Sequence, residues 1–151
     1  MGVEPFLIAS TLTLVVAQRL ARRICVSCRE SATVDARVLD VIRLRPDCDV
    51  TIGVLRKEGV LGMADDPFDR LRVFRGKWCS QCGGTGFRGR IGVFEVLEMN
   101  EQVRPLIMER CEAGLIRAAA IKTGMKTMFQ DGLAKVFLGE TTLEEVFRVA
   151  L

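Results

Sequence analysis

The chain of 151 residues has no histidine, no tyrosine and a single tryptophan. Without histidine, Ser-His and Cys-His catalysis are excluded, as is every mixed Cys/His metal site. A transition-metal site here must use thiolates or carboxylates. Long apolar runs are also missing. The stretch 6–17 is interrupted by Ser10, Thr11 and Thr13, and at 12 residues it is well short of a membrane span, which needs roughly 20. No basic segment precedes it, as a secretory signal would require. It reads as a buried helix of a cytosolic protein. A large excess of one sign of charge is missing too: the net charge is +3, too small to imply a nucleic-acid partner.

What is present describes one domain of ordinary size. At 49% hydrophobic and 27% charged, the composition excludes disorder. The pattern predicts an α+β fold: an opening helix, a cysteine-bound subdomain with a short β-sheet, and a C-terminal helical bundle. Residues 4–23 read as the opening helix, with Glu4 and Pro5 at its start and Arg19, Arg22 and Arg23 in its last turn. Within 30–71, helical spacing over 35–45 stops at Pro46, and Asp65-Asp66-Pro67 reads as a turn. Residues 72–99 read as β-structure around a loop, with the β-formers concentrated at 91–97. From 100 onward helices are expected. Asn100 reads as an N-cap, Gly124 and Gly139 as helix stops, and Thr142 with Glu145 as a capping box. The apolar stripes on these helices read as core.

The six cysteines include two Cys-x-x-Cys pairs, Cys25-Val26-Ser27-Cys28 and Cys79-Ser80-Gln81-Cys82. A two-residue gap lets both sulfurs of a pair reach one ion from a tight turn, and two such knuckles complete a tetrahedron. Glycines at 83, 84 and 86 allow a sharp turn and free amides to face sulfur. Zinc fits best. Iron in a four-sulfur site, a disulfide and free thiols are the other readings. Four protein ligands would close the site, making it structural. Four thiolates around zinc carry a charge of −2, and Arg22, Arg23, Arg29, Arg75, Lys77, Arg88 and Arg90 are expected to balance it. The spacing between the pairs is long, so the segment 30–71 must fold back as an insertion. Cys48 reads as a bystander and Cys111 as core.

Two motifs are false friends. Gly84-Thr85-Gly86-Phe87-Arg88-Gly89 matches a dinucleotide fingerprint, but it follows a cysteine knuckle and opens a strand instead of a helix. Gly84 and Gly89 also fit the outer glycines of a P-loop, yet Arg90-Ile91 stands where Lys-Ser/Thr is required. No catalytic residue and no nucleotide-binding residue is assigned. Between Asp69 and Glu95 every formal charge is positive. This reads as charge balance and a solvated face, with Trp78 and Phe87 packing the knuckle, and nucleic acid is not expected as a partner.

Several motifs in order resemble the C-terminal region of the type II secretion and type IV pilus assembly ATPases. They are Met1-Gly2-Val3-Glu4-Pro5-Phe6, then Ala17-Gln18-Arg19-Leu20-Ala21-Arg22 before a cysteine pair, and Thr85-Gly86-Phe87-Arg88-Gly89-Arg90-Ile91-Gly92 after the second. Met128-Phe129-Gln130-Asp131-Gly132 and Gly139-Glu140-Thr141-Thr142-Leu143 extend the match through the final helices. The resemblance covers nearly the whole chain except 30–70. It implies a hexameric cytoplasmic motor, peripheral at the inner membrane, that contacts an inner-membrane platform protein. ATP and magnesium would bind the full-length family upstream of Met1, where its P-loop, Walker B acid and arginine fingers lie, and the chain alone would be inactive. In that reading 1–24 is the end of the ATPase core (a helix), 25–99 a zinc-binding subdomain and 100–151 the C-terminal helical region. Only Cys25, Cys28, Cys79 and Cys82 are carried over, as zinc ligands. The alternative is a stand-alone zinc-ribbon module binding protein or nucleic acid, suggested by the Cys-x-x-Cys-x-Gly-x-Gly unit shared with J-domain chaperones.

Overall fold

The computed structural model describes residues 2–34, 36–45, 48–62 and 72–150. Among them are seven α-helices and two small antiparallel β-ribbons, an α+β architecture. The chain forms two compact units, 1–18 with 94–128 and 19–93 with 129–151.

The first unit opens with α1 (Pro5–Thr11), where Pro5 supplies the fixed φ of a first turn. The helix read over 4–23 ends at Thr11. Leu12 is extended, and β1 (Leu14–Ile24) follows. The reason lies in Thr13, Leu14, Val15 and Val16, whose stiff β-branched and apolar side chains favour a strand once a partner is available. That partner is β4 (Phe87–Glu98), the β-former segment read from sequence. Of these two strands, residues 14–18 and 94–98 belong to the first unit, which also contains α4 (Val103–Met108) and α5 (Ala113–Lys122). Met99, Val103 and Ala120 form its buried centre, with Ile8, Leu97, Ile107 and Ile116 around them. Asn100 performs the expected capping: its Oδ1 accepts the N–H groups of Gln102 and Val103 at 3.0 Å. Cys111 lies beyond α4 and is half-buried, so it is not a core residue.

In the second unit, β2 (Arg29–Thr33) leaves the first cysteine pair and β3 (Arg72–Gly76) returns to the second. They pair antiparallel, from Arg29 opposite Gly76 to Thr33 opposite Arg72. The intervening segment contains α2 (Ala36–Arg43) and α3 (Cys48–Lys57). Pro46 and the 65–67 turn lie outside the described residues. The ribbon explains the long spacing: it closes the excursion at its base, so the knuckles meet despite the intervening chain. Helices α6 (Met128–Phe137) and α7 (Leu143–Ala150) complete the unit. Ile42, Leu55, Phe129, Leu133, Val136 and Val146 are its core, and Cys48 packs against them. No helix among the described residues is long and apolar enough to cross a membrane.

Candidate metal centre

Each cysteine pair sits on a single 3-10 turn. Val26–Cys28 follows the end of β1, and the Cys28 N–H donates to the Cys25 carbonyl at 3.2 Å. Ser80–Cys82 repeats this, with the Cys82 N–H on the Cys79 carbonyl at 3.3 Å. Gly83 then takes a left-handed φ of 60° and reverses the chain. The knuckles are tied together by the Lys77 N–H on the Cys28 carbonyl at 2.8 Å and the Cys25 N–H on the Gly86 carbonyl at 2.9 Å. Ser27 donates to the Gln81 side chain at 2.9 Å.

The four sulfurs of Cys25, Cys28, Cys79 and Cys82 all lie within 4.8 Å of one another. Cys25 and Cys79 sulfurs are 3.9 Å apart, Cys28 and Cys82 4.0 Å, and Cys79 and Cys82 3.7 Å. A metal about 2.3 Å from each of four tetrahedral sulfurs sets them about 3.8 Å apart. The cage therefore fits a zinc-sized ion. All six cysteines are free, and these separations far exceed a disulfide bond of about 2.05 Å. Cys25 and Cys82 are buried, as a closed site requires.

Backbone amides prepare the sulfurs for negative charge. The N–H groups of Cys79 and Gly86 both donate to the Cys82 sulfur at 3.3 Å. The Cys79 N–H, with that of Gly86, outweighs burial and holds the Cys82 thiol at about 6. At Cys25 burial pushes the thiol up, but the Ser27 N–H and the neighbouring sulfurs outweigh it and leave it lowered. Cys28 is pushed up to about 12, by burial first and then by the sulfurs of Cys79, Cys25 and Cys82. Four sulfurs in mutual contact cannot all ionise without a cation between them.

The structure supplies side-chain partners for cations expected to balance the charge of the cage. Five of the seven flanking cations have partners elsewhere. Arg75 and Lys77 pair with Glu30 at 3.0 and 3.5 Å, and Arg88 donates to Gln81 at 3.0 Å. Arg29 donates to the Gly139 carbonyl at 3.1 Å, and Arg22 pairs with Glu145 at 2.9 Å. Backbone N–H groups, which need no long side chain to be ordered, reach the sulfurs instead. The reading of Trp78 is corrected: at 74% exposure it does not pack the knuckle. Phe87 lies under the Arg22 guanidinium, 4.2 Å from its ring centre.

The glycine motif has a different use from a phosphate cradle. A Cβ on Gly76 would fall 2.0 Å from the Gly86 carbonyl oxygen, so the two backbones touch where no side chain fits. This contact seats the end of β3 against the loop that carries Cys82. Sequence reading missed it; the only signal was a glycine three residues before Cys79.

A family model described as type II/IV secretion system protein matches residues 1–148. The chain belongs to that family. It is 37% identical over 146 residues to the type IV pilus assembly ATPase PilB of Thermus thermophilus, covering 97% of this chain and 14% of that protein. Against the PilB of Myxococcus xanthus the identity is 34%, covering 97% of this chain and 23% of the relative. The type II secretion system protein E of Xanthomonas campestris is 34% identical over 152 residues, 99% of this chain and 23% of the relative. The chain thus spans less than a quarter of the length of these secretion-family relatives, and the four cysteines fall inside the matched region.

Proposed function

We propose that this chain is the zinc-binding C-terminal part of a hexameric ATPase that powers type II protein secretion or type IV pilus assembly. The observation that carries the proposal is the four-sulfur cage at tetrahedral spacing within a chain of the secretion family. Zinc, held by Cys25, Cys28, Cys79 and Cys82, supplies a closed structural crosslink. Residues 1–24 belong to the end of the ATPase core, 25–99 to the zinc subdomain and 100–151 to the C-terminal helical region. ATP and magnesium bind a segment of the full-length motor outside this chain. The motor sits in the cytoplasm, peripheral to the inner membrane, and acts on a platform protein there.

A second observation supports the reading. In the first unit Leu14, Val15 and Val16 are consecutive strand residues, and each is close to half exposed. Successive residues of a strand face opposite sides, so both faces are apolar and uncovered. Near-continuous apolar runs in strands are characteristic of segments covered on both faces. Phe6, Leu7, Phe94 and Val96 extend the exposed apolar surface. We assign the cover to the rest of the full-length subunit.

The test is made in the full-length protein. Cys79→Ser with Cys82→Ser is expected to remove zinc, and to lower ATP hydrolysis and hexamer assembly together. Unchanged hydrolysis and assembly in zinc-free protein would contradict the structural role.

A further inference from the structure

A cavity of about 310 Å³ in the second unit is walled by Leu20, Arg22, Arg90 and Arg148. Three guanidiniums share this wall, and two of them are tied to one carboxylate. That carboxylate, Glu145, is buried and is held by two of the three. The Arg22 Nε donates to it at 3.0 Å, and the Arg148 side chain at 2.7 Å. Arg22 is further fixed over the Phe87 ring, and Arg148 reaches the Leu20 carbonyl. Two of the three cations are therefore held in place by contacts with the protein itself.

Arg90 differs from them. It has no ion-pair partner among the described residues, and its side chain is exposed. Its presence in this wall depends on Gly89. Phe87 and Arg90 are three residues apart in β4, and in a regular strand they would face opposite sides. Phe87 nevertheless lies under the Arg22 guanidinium, and Arg90 shares a cavity wall with Arg22. Gly89, at φ 80°, breaks the alternation between them in the manner of a bulge. The break in alternation accompanies a third cation at a place that already holds two.

The charge sum is three positive against one negative. Glu145 pairs with Arg22 and Arg148, and two positive charges remain. Guanidiniums recognise phosphate oxygens in a planar, paired manner. The cavity is roughly ten times the share of volume one water takes in the liquid, about 30 Å³. It has room for a phosphate group and part of its carrier.

We propose that the Arg22–Arg90–Arg148 cavity is a binding site for a dianionic phosphate group, either free phosphate or the phosphates of a nucleotide. Arg90 supplies the binding contact, while Glu145 holds Arg22 and Arg148 in position. The site is separate from the cysteine cage and does not depend on the chain's role in a motor.

Calorimetric titration of the 151-residue chain with inorganic phosphate, pyrophosphate and magnesium-free ADP tests this. Saturable one-to-one binding is expected, weakened at least tenfold in Arg90→Ala and unchanged in Arg88→Ala. Leu20→Glu, which places a carboxylate in the cavity, is expected to abolish it while thermal melting shows the variant folded. Tighter binding of ADP than of pyrophosphate identifies a nucleotide as the source; equal binding identifies the phosphate group alone. Absence of saturable binding for all three probes, or equal affinity in wild type and Arg90→Ala, overturns the proposal.

Discussion

Glu145 of α7 accepts the backbone N–H of Arg22 at 2.7 Å, so a helix carboxylate is bonded directly to the main chain of β1. The same carboxylate takes the guanidiniums of Arg22 and Arg148, and its side chain is only 2% exposed. Thr141 adds a second link, its hydroxyl donating to the Arg22 carbonyl at 2.8 Å. These bonds fix the strand that leads into Cys25 against the last helix. Glu145→Gln keeps the shape but loses charge-assisted hydrogen bonds, each worth about 1.5–3 kcal/mol. The expected result is a melting temperature lowered by several degrees, with zinc content unchanged.

The same contact makes a pH prediction. The Arg148 hydrogen bond first, and those of Arg22 next, hold the Glu145 carboxyl at about 2, against an ordinary value of 4.5. A lowered folded value means that the stabilisation is complete above about 4.5 and is lost as pH falls toward about 2. Because both arginines are more than half exposed, the contribution is on the order of 2 kcal/mol. Denaturant melts between pH 5 and 2.5 are expected to show this loss in the wild type and a flatter profile in Glu145→Gln. Parallel profiles would contradict it.

Glycine substitutions separate three physical effects. Gly76→Ala drives a methyl into the Gly86 carbonyl, with backbone on both sides unable to yield. A loss of about 3 kcal/mol or more is expected, together with weaker zinc retention against a chelator. Gly84 has φ 75° and open space around it, so alanine there costs only about 1–2 kcal/mol of backbone strain. Gly53 lies exposed within α3, with nothing near a new Cβ. Gly53→Ala is expected to stabilise by about 0.5–1 kcal/mol. Thermal melts of the three variants check the order.

The uncovered strand predicts opposite effects in two settings. Val15→Lys with Val16→Glu is expected to reduce aggregation of the isolated chain, since both residues are near half exposed there. In the full-length subunit the same pair would place charges against apolar cover and impair folding. Light scattering of the two proteins reads both effects. Equal behaviour in both would contradict the proposed cover.

Much of this was legible from local signals. Two Cys-x-x-Cys knuckles, the β-former run at 91–97 and the glycine stops at 124 and 139 each depend on a few adjacent residues. Gly124 and Gly139 indeed adopt positive φ. What failed depended on partners distant in sequence. Residues 14–24 have enough apolar and arginine content to pass for a helix, and only pairing with β4, some seventy residues on, makes them a strand. Thr142 and Glu145 have the spacing of a capping box. Thr142 does cap, accepting the Glu145 N–H at 3.4 Å, but the Glu145 carboxylate turns to Arg22 instead. The partners of the arginines near the cysteines were not legible. An ion pair such as Arg75 with Glu30 depends on the register of β2 against β3, which no local pattern encodes.

The central claim is that four cysteines hold one structural zinc. Elemental analysis of the freshly prepared, reduced chain, with Cys82→Ser alongside, tests it most directly. The account predicts one zinc per wild-type chain, and in the variant loss of the metal together with a lowered melting temperature. Metal-free wild-type protein that melts cooperatively, or zinc retained in full by Cys82→Ser, would contradict it.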